Sequence, residues 1–119
     1  MASSHARETV KIKHKIWLER DGVVLFGQGR SVLLRAIEEC GSLNSAAKKL
    51  NMSYRAAWGR LKASEERLGI KLVQMDAAGG GMRLTRHAKQ LLDKFDRFET
   101  ETEKFLKTIS RELHLPAKT

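Results

Sequence analysis

Between Ser53 and Lys62 the chain reads SYRAAWGRLK, which brings together two guanidinium groups, an ammonium, a phenol, an indole and a hydroxyl without one carboxylate. Such a set suits a polyanion. Arginine can pair bidentately with guanine, and lysine can reach phosphate as a point charge. The acid-free region is wider than this stretch: Gly41 to Ser64 carries Lys48, Lys49, Arg55, Arg60 and Lys62 with no Asp or Glu. Leu91 to Leu115, by contrast, holds six acids against five bases. The 119-residue chain has 23 Lys and Arg against 14 Asp and Glu, a formal charge of +9, so a nucleic acid or an anionic membrane surface is the expected partner. A chain that was basic only for solubility would not separate its charge in this way.

The basic residues need a helix to present them. At 100° per residue over Tyr54 to about Leu68, Ala57, Leu61, Ser64 and Leu68 form one narrow stripe. Arg55, Gly59 and Lys62 fall opposite, Tyr54 and Trp58 on one flank, and Arg60 on the other. Presented like this, the helix fits a major groove. Gly59 in a helix interior costs about 1 kcal/mol relative to alanine, and a close approach of backbone to duplex would explain it. Tyr54 suits a hydroxyl contact to phosphate and Arg60 a phosphate clamp. Trp58 lies on the border, where packing against a neighbouring helix and contact with DNA fit its position equally.

Around that helix the pattern is of short, punctuated elements. Val10 to Leu18 alternates and predicts a strand, Asp21-Gly22 a tight turn, and Val23 to Phe26 a returning strand. Arg30 to Cys40 predicts a helix burying Val32, Leu33, Ala36, Ile37 and Cys40, ended by Gly41. A second helix runs from about Ser42 or Asn44 to Leu50. Asn51 ends it and Ser53 caps the next, so the connection is that of a helix-turn-helix. Ile70 to Met75 and Met82 to Leu84 predict two strands about a glycine-rich loop, a wing. Thr85 caps a last helix reaching about Leu113, roughly 42 Å long at 28 residues.

Along that helix Leu84, Ala88, Leu91, Phe95, Phe98, Thr102, Phe105, Ile109 and Leu113 recur in steps of three and four, a heptad-like seam with one polar break at Thr102. So long a seam outruns a small winged domain. Leu91, Phe95, Phe98, Thr102, Phe105 and Ile109 are therefore expected to form a dimer interface, with intramolecular packing as the plainer alternative. An exposed Arg and Lys face, taken alone, is an ordinary solvated face. Two adjoining acid-free helices, a short turn and a following wing together favour double-stranded DNA.

Other chemistry finds little support. His5, His14, His87, His114 and Cys40 are scattered without metal-ligand spacing, and no catalytic triad or carboxylate pair stands out. Ala77 to Gly81 lacks the Lys-Ser/Thr of a phosphate loop and joins two strands. No run approaches the roughly 18 apolar residues of a membrane span. With a single cysteine, no intrachain disulfide is possible. The expectation is a cytoplasmic DNA-binding protein, not an enzyme, with no metal and no cofactor.

The stretch GSLNSAAKKLNMSYRAAWGRLKASEERLG resembles the N-terminal DNA-binding domain of the molybdate-responsive ModE regulators, MSYRAAW most specifically. More distantly, SAAKKL and the Leu68-Gly69 ending are similar to the winged helix of LysR-type regulators. The ModE likeness extends over LERDGVVLFGQGRSVLLRAI and GGGMRLTRHAKQLL, about residues 10 to 110. It implies a winged helix, mainly α with small β-hairpins, dimeric through a long C-terminal helix, that binds an operator and regulates transcription. It carries DNA contact onto Ser53, Tyr54, Arg55 and their neighbours, and onto the wing at Ala78 to Arg83. With the flanking residues the expected contact set is Asn44, Ser45, Ser53, Tyr54, Arg55, Trp58, Gly59, Arg60, Lys62, Arg83 and Arg86. ModE regulators continue into molybdate-binding domains and this chain stops at Pro116-Ala117-Lys118-Thr119, so direct molybdate binding is not expected. The expected layout is an N-terminal arm at 1–9, a winged domain at 10–84, a dimerisation helix at 85–113 and a tail at 114–119. Two functions compete: a homodimeric regulator on a pseudo-palindromic operator, and an adaptor that pairs with a full-length ModE-like regulator and modulates it.

Overall fold

The computed structural model describes residues 10–76 and 79–116. The expected arm 1–9, the wing residues Ala77 and Ala78, and residues 117–119 of the tail lie outside the described residues. The elements follow as β1 (Trp17–Arg20), β2 (Val23–Gly27), α1 (Gln28–Cys40), α2 (Leu43–Lys49), α3 (Tyr54–Leu68), β3 (Val73–Met75), β4 (Met82–Leu84) and α4 (Arg86–Ser110). They form two compact units: one is Ile16–Asp96, and the other joins the chain up to Lys15 with the chain from Arg97 onward.

In the larger unit each boundary has a local cause. β1 and β2 are an antiparallel hairpin turned by Asp21 (φ 51) and Gly22 (φ 80), the pair of positive angles that matches the twist of two strands. α1 ends at Gly41 (φ 76), whose N–H donates to the Ile37 carbonyl. Ser42 caps α2 by accepting from the Ser45 amide at 3.1 Å, and Ser53 caps α3 by accepting from the Ala56 amide at 3.0 Å. Between them Asn51 takes a left-handed φ of 57. The core that results joins Phe26, Leu33, Leu34, Ile37, Leu61, Leu72, Leu84, Leu92 and Phe95 with Ala46, Ala47, Ala57 and Ala88 at the close crossings. Phe26 and Phe95 meet edge to face, 5.2 Å between centroids.

The wing is tied in at three points. Met82 N–H donates to the Gly41 carbonyl at 2.8 Å, so the α1–α2 link acts as a further partner for β4. Thr85 N–H donates to the Leu72 carbonyl at 2.9 Å. Its hydroxyl donates to the Lys71 carbonyl at 2.7 Å and accepts from the Ala88 amide at 3.2 Å, which caps α4. The third tie is Glu65. Its carboxylate, only 8% exposed, accepts from the Leu72 amide at 2.8 Å, the Val73 amide at 3.4 Å and the Lys62 ammonium at 3.2 Å.

Several boundaries differ from expectation. The first strand begins at Trp17, not Val10, because β2 gives way to α1 at Gln28 and leaves nothing opposite residues 10–16. Val10, Ile12, Ile16 and Leu18 are nonetheless half-buried, while Lys11, Lys13 and Lys15 are exposed. Val32 is 40% exposed and Leu34 is buried in its place, since the buried arc of α1 centres on Leu33 and Ile37. β3 is confined to Val73–Met75, because the Lys71 and Leu72 carbonyls are taken by Thr85. α4 stops at Ser110, where the amides of Arg111, Glu112 and Leu113 tighten onto carbonyls three residues back.

Burial pushes the Glu65 carboxyl up, but the Leu72 amide, the Lys62 ammonium and the Val73 amide outweigh it and hold the group below its ordinary value. A carboxyl depressed by folding contributes stability that is full above its unfolded pKa and is lost as pH falls through the folded one. Urea midpoints of the wild type and Glu65→Gln should therefore be furthest apart near neutrality and begin to converge below pH 4.5, the ordinary value. A gap independent of pH between 7 and 3 would contradict the role given to the charge.

Candidate nucleic-acid interface

α2 and α3 expose one continuous set of polar and basic side chains. Asn44 and Ser45, in the first turn of α2, are exposed, as are the cap Ser53 and Tyr54, Arg55, Trp58, Gly59 and Arg60 on α3. Buried Ala57, Leu61 and Ser64 form the opposite stripe. Tyr54 is 52% and Trp58 41% exposed, so neither aromatic is absorbed into the core of its unit. Arg83 on β4 and Arg86 at the start of α4 are exposed as well.

Lys62 is held more tightly than its spacing suggested. It is half-buried, with its ammonium 4.5 Å from the centroid of the Trp58 ring and 3.2 Å from Glu65 Oε1. The cation rests on the negative face of the indole. The chain Trp58–Lys62–Glu65 thus stiffens the surface of α3 beside Arg55. Trp58 does pack, but against a lysine of its own helix, and its remaining surface is open. Lys49, one of the bases in the acid-free stretch, is paired with Glu39 of α1 at 2.5 Å. The hydrogen bond and the charge of Glu39 raise the Lys49 ammonium above its ordinary value.

Gly59 faces open space. A Cβ built there meets no atom within 4 Å, so nothing among the described residues calls for glycine. At Gly81, by comparison, a Cβ would lie 3.3 Å from the Gly41 carbonyl, and the tight wing-to-link contact explains that residue.

Two residues of this region escaped the sequence reading. Glu65 follows a buried serine and looks like one more surface acid; its partners at Leu72 and Val73 lie beyond the end of α3. Arg30 opens α1 as an ordinary polar residue, yet its Nε donates to Ser64 Oγ at 2.6 Å, 34 positions away. The seam residues divide. Phe95 is a core residue, wholly buried against Phe26 and closed to a second chain, and Leu91 is half-buried against the same core. In the other unit Thr102 is half-buried, and Phe98, Phe105 and Ile109 are 45%, 62% and 38% exposed. Among the described residues no helix is long and apolar enough to cross a membrane, and no group of three His, Cys, Asp or Glu is placed to hold a metal.

Residues 30–89 match the model of the bacterial regulatory helix-turn-helix proteins of the lysR family. The chain belongs to that family. This lysR-family chain is 38% identical over 74 residues to the transcriptional regulator ModE of Haemophilus influenzae, covering 60% of itself and 29% of that protein. It is 34% identical over 101 residues to the molybdenum-pterin-binding protein MopB of Rhodobacter capsulatus, covering 82% of itself and 37% of that protein. The chain thus spans about a third of the length of these curated relatives. Among solved structures, the DNA-binding domain of CbnR in complex with DNA has a TM-score of 0.54 at 24% identity, over 71% of this chain and 95% of that one. Oxidised OxyR of Corynebacterium glutamicum has a TM-score of 0.52 at 25% identity, over 68% of this chain and 26% of that one. The fold is a winged helix, and the family is one of DNA-binding transcriptional regulators.

Gly59→Ala should raise the stability of this lysR-family domain, by up to about 1 kcal/mol, since the methyl enters open space and the helix gains an alanine. If the backbone at Gly59 approaches a duplex, the same variant should bind DNA more weakly. Denaturation and fluorescence anisotropy on one protein sample read both signs; tighter or equal binding would remove the close approach at this position.

Proposed function

We propose that the chain binds duplex DNA as a homodimer and regulates transcription at a pseudo-palindromic operator, with α3 in the major groove and the wing beside it. The observation that carries this reading is the outer face of α3: a helix-interior glycine in open space beside an exposed Arg55 and a braced Lys62, with no acid on α2 or on the first two turns of α3. Arg55 reads a base edge, and Ser53 and Tyr54 fix the start of α3 on the backbone. Lys62 adds charge at a fixed place, and Arg60, Arg83 and Arg86 contact phosphates. Asn44 and Ser45 lie exposed at the start of α2, where their side chains add polar contacts to the backbone.

Affinity should come mainly from phosphate neutralisation and fall steeply with salt. In gel-shift titrations, Arg55→Ala should reduce binding to the operator far more than to a scrambled duplex, by about 1–3 kcal/mol. Lys62→Ala should weaken both alike. Equal, small losses for Arg55→Ala on both duplexes would refute base reading.

The dimer is assigned to the exposed part of the α4 seam, Phe98, Phe105 and Ile109. Apolar surface of that kind along a helix favours a second copy over water. Two copies related by a two-fold axis would present their α3 helices to half-sites a whole number of helical turns apart. Phe105→Glu should shift sedimentation from dimer to monomer without unfolding the winged unit, since Phe105 is 62% exposed. A wild type that sediments as a monomer alone, and as a heterodimer with a full-length ModE-like regulator, would favour the adaptor instead.

A further inference from the structure

Three arginines converge on the side of α3 that turns away from Arg55. Arg60, Ser64 and Arg67 are spaced by four and three residues, so they share one flank of the helix. That flank lies roughly 120° from the centre of the Arg55–Gly59 face at 100° per residue. Arg30 reaches the same flank from the first turn of α1. Its Nε donates to Ser64 Oγ at 2.6 Å, while the Ser64 hydroxyl donates to the Arg60 carbonyl at 2.8 Å. Ser64 thus donates once and accepts once, a bracket that orients the Arg30 guanidinium.

What the bracket does not supply is negative charge. Among the described residues no carboxylate pairs with Arg30, Arg60 or Arg67; the ion pairs of this unit are Arg35–Asp96, Lys49–Glu39 and Lys62–Glu65. Nor do the terminal nitrogens of Arg30 have an acceptor there. α1 adds to the excess, because its N-cap Gly27 offers no side-chain acceptor and its first turn has no acid. The fold carries the consequence: burial, and then the charges of Arg60 and Arg67, lower the Arg30 guanidinium below its ordinary value. Three like charges gathered around a buried hydroxyl, with no carboxylate paired to them among the described residues, oppose folding unless something offsets them.

We propose that Arg30, Arg60 and Arg67, gathered around Ser64, form an oxyanion site that takes one phosphate group and is separate from the base-reading face. An oriented guanidinium presents two parallel N–H groups to a tetrahedral oxyanion, and two further guanidiniums close over its remaining oxygens. The phosphate has two sources, a free inorganic ion or the backbone of a bound duplex. Only the second rests on the DNA reading given above, and it extends the footprint past Arg60 to the α1 side of the domain.

Thermal midpoints of the full chain in sodium phosphate and in sodium chloride at equal ionic strength test the site. Phosphate stabilises most proteins by exclusion from their surface, so the readout is the phosphate-minus-chloride increment compared between variants. That increment should be largest for the wild type, and should fall in both Arg67→Gln and Arg60→Gln. Arg20→Gln, an exposed arginine of β1 outside the cluster, removes the same charge and should keep the wild-type increment. Arg67 also lies in the last turn of α3, where a cation is favourable, but that contribution is common to both salts and cancels in the difference. Equal increments in all four proteins would overturn the proposal. The salt dependence of binding to a non-specific duplex then assigns the source: a slope shallower by about one in Arg67→Gln marks a backbone phosphate, and an unchanged slope beside a lost increment marks the free ion. A wild type that ignores duplex DNA but keeps the increment would sink the regulator reading and leave the oxyanion site standing.

Discussion

The Glu65 carboxylate sits where α3 hands the chain to the wing, and three requirements meet on it. It satisfies the Leu72 amide, which has no strand partner at that point, and shares the Val73 amide at the start of β3. It also anchors Lys62, which in turn rests on Trp58. A buried carboxylate without partners would be strongly unfavourable, and a buried amide without an acceptor costs about 1–3 kcal/mol. Each group therefore removes the penalty of the other. One side chain thus links α3 to the start of the wing and holds the Lys62 charge in place. Under the reading proposed above, that linkage favours binding, because ordering Lys62 at the moment of contact would otherwise subtract from affinity.

The turn between α2 and α3 works by the same economy of parts. Asn51 accepts the left-handed conformation, its N–H donates to the Lys48 carbonyl, and Ser53 restarts the helix with a hydroxyl cap. Met52 N–H closes the turn on the Ala47 carbonyl at 3.0 Å. Ala46, Ala47 and Ala57 are wholly or almost wholly buried, which is what lets the two helices cross closely enough for so short a connection. None of this requires an acid on the outer surface, and the sequence places none from Gly41 to Ser64.

Elements whose signals are local were legible from residue order alone. α3 begins and ends where Ser53 and Gly69 predict, and the cap of α4 is the expected Thr85. Errors arose where a distant partner decides the outcome. The alternation from Val10 is real in burial but makes no ladder before Trp17, because strand length is set by β2. Val32 and Leu34 exchange roles through a small error in the centre of the buried arc, and Phe95 left the seam for the core because Phe26 stands opposite it. The exposed basic face of α3 could be read from periodicity, since exposure of a helix face follows from its own spacing. The bracing of Lys62 by Glu65 could not, since the acid's main partners are amides at Leu72 and Val73. The Arg30–Ser64 bond, spanning 34 positions, leaves no trace in spacing at all.

α3 therefore carries three surfaces with three different balances of charge. The inner stripe of Ala57, Leu61 and Ser64 is neutral and closed. The outer face around Arg55 and Gly59 is basic, with Lys62 partly neutralised by Glu65, and this suits base edges, where geometry matters more than net charge. The flank of Arg60 and Arg67 has no paired carboxylate among the described residues and is joined by Arg30 of α1. A helix that served only as a solvated surface would scatter acids among these bases, as α4 does with Glu101 and Lys104. On α3 the acids stand at Glu65 and Glu66, where the first is already committed to the wing. Among the described residues, the unbalanced charge of α3 is thus confined to places where no carboxylate is paired with it, on both its outer face and its flank.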